Sequence, residues 1–435
     1  MSESDFDPDE EQGSRIPNFY KLDVSSRRQL IARRANVTLE RLTEALETGG
    51  LDATTADKVV ENVLGLYGLP FGVALNVRVN GVDRLVPMVV EEPSVIAAAS
   101  NAAKMVRAAG GFSAEMIDTW MTTQVQLSSV PDVPQGIARL EQASAELLSL
   151  AASAVPGLLE RGGGPRGIEV RNLGQGQLVL HVHVDCRDAM GANLVNSVAE
   201  AVGPRARELS GGRLGLRILT NLCDKRRVRV TCRVHAPDLV VRENGDADGR
   251  AVVDAVVEAS KFAELDPYRA ATHNKGIMNG VDAVVMATGN DWRAVEAGAH
   301  SYAARTGRYG PLAVWRRDGD DLTGELEMPL ALGTVGGTLR VHPVARLSLE
   351  IMGIERASEL SEIAASVGLA SNLAALRALA TEGIQRGHMS LHARSVAAAA
   401  GATGSEVERT ASQMTQNGQI SLEAAKAALD AIRGR

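Results

Sequence analysis

Residues 177–202 read QLVLHVHVDCRDAMGANLVNSVAEAV, and this stretch decides the fold class. Its first nine residues are mostly apolar and lead into charged and small residues, which predicts a strand followed by a turn. The apolar residues that follow recur at helical spacing and predict a helix. Helices and strands also alternate on both sides, from about Phe112 to Thr220. We therefore predict an α+β fold in which a smaller α+β domain is inserted between two parts of a larger one.

The flanking segments supply the larger unit. Residues 25–50 carry apolar residues at helical spacing before a Gly pair and predict one or two helices. Residues 72–90 alternate apolar and polar residues around Asn80-Gly81, which is typical of a hairpin. In residues 91–111, two glutamates and a proline suit the start of a helix and a Gly pair suits its end. The chain from residue 358 onward is nearly all helical in pattern.

The composition is typical of a soluble globular protein. The 435 residues carry 46 basic and 53 acidic side chains, a net charge of −7, and only 3% are aromatic, which argues against nucleic-acid binding through a basic surface or stacked bases. The three cysteines lack CxxC spacing, which argues against structural zinc and disulfides and favours a cytoplasmic protein. No segment approaches the roughly 20 uninterrupted apolar residues of a membrane span. The acidic start, MSESDFDPDEEQG, predicts a disordered tail rather than a signal peptide.

A lysine and an aspartate lie near the two ends of the largely apolar stretch ATHNKGIMNGVDAVVMATGND, Ala271–Asp291. On a helix, Lys275 and Asn279 project from one face, and Arg269 precedes Lys275 by six residues. A buried lysine needs a carboxylate or hydrogen bonds to hold its charge, and Asp291 is the partner that we expect. Either the two residues form a structural ion pair, or they belong to a site that needs a partly buried lysine. The spacing leaves both interpretations open.

Two further stretches carry candidate groups. In VEEPS, Glu91 and Glu92 indicate either a solvated helix start or a cleft in which Glu92 donates a proton near neutral pH. In DCRDAMGANLVN, Asp188, Gly191 and Asn193 predict a turn with free backbone N–H groups and room for a phosphate, although a plain capping turn fits equally well. The pattern G-x-G-x-x-G is absent here and at GGGPRG, so this is not a Rossmann fingerprint.

The histidines do not predict a metal site. His388 and His392 have the spacing of the zinc motif H-E-x-x-H, but Met389 stands in place of its glutamate. His388 is therefore either a surface histidine or an acid delivered by domain closure. We expect His181 and His183 on an exposed strand face, and we expect the alternating stretch KRRVRVTCR to be an exposed strand as well.

Together these stretches resemble the hydroxymethylglutaryl-coenzyme A (HMG-CoA) reductase family, in its soluble prokaryotic class, class II. The resemblance is carried by ENVLG at 61–65, VPMVVEEPSVIAAASNAAK at 86–104, DAMGAN at 188–193, DPYRAATHNKGIMNG at 266–280, ATGNDWRAVEAGAH at 287–300, LEMPLALGTVGG at 326–337 and GLASNLAALRALATEGIQRGHMSLHAR at 368–394. Their joint order covers the chain from about Arg15 to the C terminus and is highly specific.

The resemblance implies that HMG-CoA is reduced by two hydride transfers from NADPH or NADH, through a hemithioacetal and an aldehyde, to mevalonate and CoA. Lys275 would stabilise the developing oxyanion, and Asp291 would hold Lys275. Glu92 would donate and accept the proton of the aldehyde step. His388 would protonate the departing CoA thiolate. No metal is implied.

The resemblance also implies binding residues and an assembly. The positions that hold the hydroxymethylglutaryl group are matched by Ser94, Arg269 and Asn279, with the guanidinium on the free carboxylate. The dinucleotide-binding positions are matched by Asp188, Met190, Gly191, Asn193 and Asn221. After a disordered tail, 1–13, we expect a large HMG-CoA-binding domain (14–115 and 222–378), a small non-Rossmann NAD(P)-binding domain (116–221) and a mobile C-terminal flap (379–435). The half-sites would come from different subunits, so a homodimer would be the minimum active unit and could assemble further.

Two alternatives fit the same motifs. One is a mevalonate-degrading, NAD-dependent enzyme that runs in the oxidative direction. The other is a non-catalytic paralogue that binds an acyl-CoA, or a related CoA-dependent dehydrogenase. The joint presence of Glu92, Lys275, Asp291 and His388 argues against the binder, because binding alone does not need all four. We expect an NADPH-using biosynthetic enzyme.

Overall fold

The computed structural model describes residues 13–47, 49–240, 248–381 and 393–434. The fold is α+β, as predicted, and its sheets in these residues are antiparallel. The predicted tail lies, except for Gly13, outside the described residues. The strands are β1 (Phe71–Val79), β2 (Val82–Val89), β3 (Ser113–Met116), β4 (Trp120–Ser128), β5 (Gly164–Gly174), β6 (Gln177–Asp185), β7 (Arg213–Leu219), β8 (Arg227–Val234), β9 (Ala313–Asp318) and β10 (Asp321–Pro329).

The helices surround these sheets. Those up to residue 381 are α1 (Val24–Arg34), α2 (Leu39–Glu47), α3 (Ala53–Val59), α4 (Val95–Ala108), α5 (Val133–Gln142), α6 (Ser144–Ser153), α7 (Pro156–Leu159), α8 (Ala192–Ser210), α9 (Gly249–Leu265), α10 (Pro267–Ala287), α11 (Trp292–Ala303), α12 (Pro343–Met352) and α13 (Ala357–Thr381). Short 3₁₀ turns occupy Phe19–Lys21, Ala236–Leu239 and Gly337–Arg340. Residues 393–399 are helical, and helices Ser405–Gln416 and Leu422–Arg433 follow.

The hairpin predicted around residue 80 is present. Strands β1 and β2 pair up to Val79 and Val82, and the two residues between them, Asn80 and Gly81, have φ values of 51° and 80°. Positive φ at both central turn positions matches the twist of the flanking strands. The helix after the hairpin starts later than predicted: α4 begins at Val95, so the two glutamates precede it.

The large four-stranded sheet has the order β3-β8-β10-β9, and its inner face packs in one hydrophobic core with α4, α9, α10 and α13. Helices α10 and α13 approach closely because glycines face the contact. A Cβ on Gly280 would lie 2.6 Å from the Val367 carbonyl oxygen, and one on Gly368 would lie 2.6 Å from the Val281 side chain. This packing fixes α10, the helix that carries Lys275.

Helix α13 is the one described helix that is long and apolar enough to cross a membrane, yet 67% of its apolar window is buried inside the protein. Its neighbours are α10, α9 and α4. The helix therefore serves as the centre of a protein core, which is the arrangement expected in a soluble protein.

The second four-stranded sheet has the order β5-β6-β4-β7, and one of its faces packs in a separate core with α5, α6 and α8. The prediction that His181 and His183 are exposed is wrong: they are 9% and 7% exposed. On the face of β6 opposite to the core, Thr122 Oγ1 lies 2.9 Å from His183 Nδ1, and Trp120 stacks on the same ring. Burial lowers the pKa of both histidines.

Candidate active site

Helix α10 presents Lys275 and Asn279 on one side, as their spacing predicted, and that side faces solvent at Lys275. Asp266 caps the helix by accepting hydrogen bonds from the backbone N–H groups of Tyr268 and Arg269, and Pro267 occupies its first position. The opposite face is buried through residues such as His273 and Ile277. The helix is thereby fixed along its length while Lys275 remains accessible.

Lys275 forms an ion pair with Glu92, with 2.6 Å between Nζ and Oε2. The predicted partner was Asp291, and within the chain this prediction is wrong. The lysine is also less buried than predicted, because its side chain is 60% exposed and that of Glu92 is 35% exposed. The structure thus brings together two of the four predicted catalytic groups, a cation and a carboxylate, at an open surface.

Ser94 lies two residues after Glu92 in a strained conformation. Its φ is 77°, in the left-handed region, although it is the N-cap of α4. Its hydroxyl does not cap the helix, and Oγ is buried without a hydrogen-bond partner among the described residues. Strain and an unpaired buried hydroxyl at one position are typical of functional sites, since stability alone selects against both.

Arg269 and Asn279 also have unpaired side chains. Within the described part of the chain, neither side chain takes part in a hydrogen bond or ion pair, and burial lowers the pKa of the Arg269 guanidinium. Arg269 is six residues before Lys275 and therefore points about 120° away around the helix. A half-buried guanidinium without an anion is costly, so this position favours a bound carboxylate. We call Glu92, Ser94, Arg269, Lys275 and Asn279 the Lys275 cluster.

The turn after β6 forms the second group of predicted residues. Gly191 has a φ of 100° and is the N-cap of α8, where no side chain caps the helix. A Cβ at this position would lie 2.5 Å from Cys186 Sγ, so only glycine fits. Asn193 is exposed in the first turn of α8, and Asp188 Oδ1 accepts a hydrogen bond of 2.9 Å from the Ala357 backbone N–H. The carboxylate of Asp188 therefore ties the turn to α13.

Met190 and Asn221 line one small cavity, of about 10 Å³, together with Ala294 and Gly298 of α11. The Asn221 carbonyl oxygen would lie 2.7 Å from a Cβ on Gly298, so strand end and helix are in close contact. Met190 and Asn221, two of the residues that the resemblance matches to dinucleotide-binding positions, thus meet beside the start of α11.

Asp291 belongs to this second group and not to the first. It is the N-cap of α11 and accepts hydrogen bonds from the backbone N–H groups of Arg293 and Ala294. The Asn290 N–H donates to the Val285 carbonyl, which holds Asp291 beside the last turn of α10. Lys275 lies ten helical residues before Val285, about 15 Å along the axis. We call Asp188, Met190, Gly191, Asn193, Asn221 and Asp291 the Met190 cluster.

Sequence reasoning missed two residues that brace the Met190 cluster. Arg226 was expected in an exposed basic strand, but it is 3% exposed and donates hydrogen bonds to the turn. Asn290 pairs with Gly333 in both directions, accepting from its N–H at 2.8 Å and donating to its carbonyl at 3.1 Å. Arg226 has the same strand parity as the buried Val228, and this alternation is the signal that could have located it.

The two C-terminal histidines of the sequence analysis cannot be placed in either cluster. His388 and His392 lie outside the described residues. Within the described ranges, no cluster of three or more His, Cys, Asp or Glu side chains could hold a metal ion.

Comparison with known proteins places the chain in one family. The model of the family "Hydroxymethylglutaryl-coenzyme A reductase" matches residues 23–393. The chain is 45% identical to 3-hydroxy-3-methylglutaryl-coenzyme A reductase of Archaeoglobus fulgidus over 97% of its own length and 95% of that protein. It is 34% identical to a probable enzyme of the same name from Borreliella burgdorferi, over 78% of this chain and 77% of that one.

Solved structures agree. The 3-hydroxy-3-methylglutaryl-coenzyme A reductase of Streptococcus pneumoniae matches with a TM-score of 0.82 and 40% identity, covering 96% of this chain and 99% of that one. A class II structure from the same organism, bound to NADPH in open conformations, matches with a TM-score of 0.80 and 41% identity, over 84% of this chain and 99% of that one. The chain therefore belongs to the hydroxymethylglutaryl-coenzyme A reductase family of oxidoreductases.

Proposed function

We propose that this chain reduces HMG-CoA to mevalonate and free CoA, in the biosynthetic direction of the mevalonate pathway. The observation that carries the proposal is the 2.6 Å contact between Lys275 Nζ and Glu92 Oε2, beside the unpaired hydroxyl of Ser94. A cation and a carboxylate in contact can stabilise an oxyanion and transfer a proton at the same carbonyl oxygen, while the cofactor supplies the hydride to carbon. These are the two demands of carbonyl reduction.

Each residue of the Lys275 cluster has a defined task in this reaction. Lys275 donates hydrogen bonds to the thioester oxygen as negative charge develops on it, and Glu92 exchanges the proton at the aldehyde step. Arg269 binds the free carboxylate of the hydroxymethylglutaryl group, while Ser94 and Asn279 supply further hydrogen bonds. His388 protonates the CoA thiolate; this role rests on the family resemblance, because the residue is outside the described ranges.

The Met190 cluster fits a nicotinamide dinucleotide. The glycine-only turn at Gly191 and the uncapped start of α8 leave room and backbone N–H groups for polar ligand atoms. When bound, the reduced dinucleotide supplies the two hydrides. We propose NADPH as the cofactor, with NADH as the alternative, in line with the NADPH-bound relative. No metal takes part in this proposal.

We further propose that a homodimer is the active unit and that it can assemble further. Residues from the end of α3 to just beyond ENVLG expose apolar side chains to an unusual degree: Val60 is 56%, Leu64 105% and Tyr67 89% exposed. Such a contiguous apolar segment favours a subunit interface. In this dimer we propose that Asp291 of the partner subunit holds Lys275, a role that Asp291 of the same chain does not fill.

The domain boundaries follow from the same proposal. The HMG-CoA-binding domain comprises residues 14–115 and 222–378, the cofactor-binding domain residues 116–221, and the C-terminal flap residues 379–435. Separate hydrophobic cores in the first two units and in residues 393–429 support this division. We propose a cytoplasmic location.

The test of the activity is spectrophotometric. HMG-CoA is added with NADPH, and separately with NADH, and loss of the reduced nicotinamide absorbance is followed. We expect oxidation with at least one cofactor and formation of free CoA. Folded protein that oxidises neither cofactor would be a non-catalytic acyl-CoA binder. If the protein instead oxidises mevalonate with NAD and CoA much faster than it reduces HMG-CoA, it would be the degradative enzyme.

A further inference from the structure

Arg226 is a buried arginine immediately before β8. It is 3% exposed, and both hydrogens of each Nη atom point at backbone carbonyls. Nη1 donates to Ala189 O at 3.0 Å and Met190 O at 3.1 Å, and Nη2 donates to Leu332 O at 2.6 Å and Arg187 O at 3.4 Å. One guanidinium thus connects the turn after β6 to the segment after β10.

The charge of Arg226 has no ion-pair partner among the described residues. Burial lowers the pKa of its guanidinium, and Asp185 and Asp188 oppose this effect only from a distance. A buried cation costs several kcal/mol in desolvation, and an apolar side chain of similar volume often fills such a position without loss of stability. Packing alone therefore does not explain an arginine here, whereas the fork of donors toward carbonyls does.

The carbonyls that Arg226 binds belong to the turn that carries Met190. The opposite side of the turn is fixed as well, because the Thr334 N–H donates to the Asp188 carbonyl at 2.9 Å. A Cβ on Gly333 would lie 2.6 Å from the Met190 nitrogen, so the two segments are in direct contact. Through the reciprocal hydrogen bonds of Asn290 with Gly333, the bracing continues to the residue before Asp291.

We propose that Arg226 is a positioning residue for the nicotinamide dinucleotide, acting through the backbone of residues 187–190. It holds Met190 and the start of α8 in the one arrangement that accepts the cofactor, and it joins this turn to the segment that supports Asp291. The inference rests on the proposed assignment of the turn as the dinucleotide site. Because Arg226 does not reach the Lys275 cluster, it affects the cofactor and not HMG-CoA.

The test uses Arg226→Lys and Arg226→Met in the full-length protein. The Kd for NADPH is measured by the fluorescence of the reduced nicotinamide, and KM is measured for NADPH and HMG-CoA. Lysine retains a charge but lacks the planar fork, so we expect both variants to raise the Kd and KM for NADPH by ~10-fold to ~100-fold while the KM for HMG-CoA stays within about twofold. If Arg226→Met does not fold, Arg226→Lys alone decides the question, by the same comparison of the change in KM for NADPH with the change in KM for HMG-CoA.

Two further variants separate the possible outcomes. Arg227→Lys, at the next position in partly buried ion pairs with Asp118 and Glu327, is the matched control and should leave NADPH affinity unchanged. The inference is overturned if Arg226→Lys leaves the affinity for NADPH intact, or if it weakens the binding of NADPH and of HMG-CoA equally. Asn193→Ala then tests the turn itself. If it leaves NADPH affinity intact, the site assignment and the inference both fall; if it weakens NADPH while Arg226→Lys does not, only the inference falls.

Discussion

The Lys275 cluster and the Met190 cluster differ in how far the folded chain completes them. Lys275 is 60% exposed, and Ser94, Arg269 and Asn279 have side chains without partners among the described residues. The turn around Met190 is instead tied down by hydrogen bonds from Arg226. Polar groups left unpaired near a surface are groups that another molecule satisfies, whereas a fully bonded turn is ready before its ligand arrives. This contrast supports the proposal that the substrate and a second subunit complete the Lys275 cluster, whereas hydrogen bonds within the chain already hold the turn of the Met190 cluster.

The largest expected effect on activity comes from a substitution in the Lys275 cluster. Lys275→Ala should lower kcat by ~100-fold to ~1,000-fold or more, because it removes the cation that meets the oxyanion. The Kd for NADPH should change little, since the turn that we propose for the cofactor does not contact Lys275. Steady-state kinetics and cofactor titration on the same preparation measure both quantities.

The matched control for this variant is Lys261→Ala. Lys261 is 58% exposed and lies 3.6 Å from Glu264, so it forms a comparable ion pair away from the site. We expect its activity to equal that of the unaltered protein. Near-normal activity in Lys275→Ala would show that the lysine does not stabilise an oxyanion.

A substitution in the Met190 cluster should lower both the stability of the protein and its affinity for the cofactor. Gly191→Ala places a Cβ 2.5 Å from Cys186 Sγ at a positive φ, so strain of about 1–2 kcal/mol is joined by overpacking of about 1–3 kcal/mol. The thermal midpoint and the affinity for NADPH should both fall. Gly174→Ala is the control, because its φ is also positive but nothing lies within 4 Å of the new Cβ. Equal losses in the two variants would mean that the close packing of the turn is unimportant.

The smallest effect concerns the link between α10 and α11. The hydrogen bond to Glu296, 2.6 Å from His300 Nε2, raises the pKa of His300 above its ordinary 6.5, while Tyr309 lies 2.7 Å from Nδ1. Asp282 faces Glu296 from α10, and burial raises its pKa to about 9. His300 binds its proton more tightly in the folded chain than in the unfolded chain. The resulting contribution to the free energy of unfolding is therefore complete below pH 6.5 and is lost as the pH rises through the raised pKa.

This pH dependence is measured as the thermal midpoint against pH. His300→Gln should make the decline in stability above pH 6.5 slightly shallower, because the pair with Glu296 is partly exposed and the raised pKa of Asp282 sustains the rest of the decline. His342→Gln should leave the slope in that range unchanged, since burial lowers the pKa of His342. An identical slope in His300→Gln and in the unaltered protein would show that the His300–Glu296 pair contributes nothing to it.

The sequence predicted the fold class because alternation and helical spacing depend only on local residue order. The hairpin at Asn80-Gly81 and the shared face of Lys275 and Asn279 on α10 followed from the same signals. The start of α4 was misplaced because the glutamates before Ser94 resemble a first helical turn. His181 and His183 lie on the face of β6 that the alternation predicted. Side chains of the neighbouring strand β4, such as Trp120 and Thr122, bury them there, and the alternation of one strand does not reveal such contacts.

The contacts between the candidate site residues were not predictable from the sequence. Asp291 was assigned to Lys275 because both lie in one stretch, yet an unbroken helix separates them by about 15 Å along its axis. The contact of Lys275 with Glu92 joins residues 183 positions apart, which local patterns do not encode. Arg226 was overlooked because a basic residue next to a strand is usually solvated, and only its carbonyl partners explain its burial.

The most direct test of a site shared between subunits is complementation. Lys275→Ala and Asp291→Ala are each expected to be inactive alone, and the two chains are then mixed to form heterodimers. If each site takes Lys275 from one subunit and Asp291 from the other, random mixing restores about a quarter of the sites. We predict activity near that level in the mixture. A mixture no more active than either parent would place both residues of each site in one chain and contradict the account.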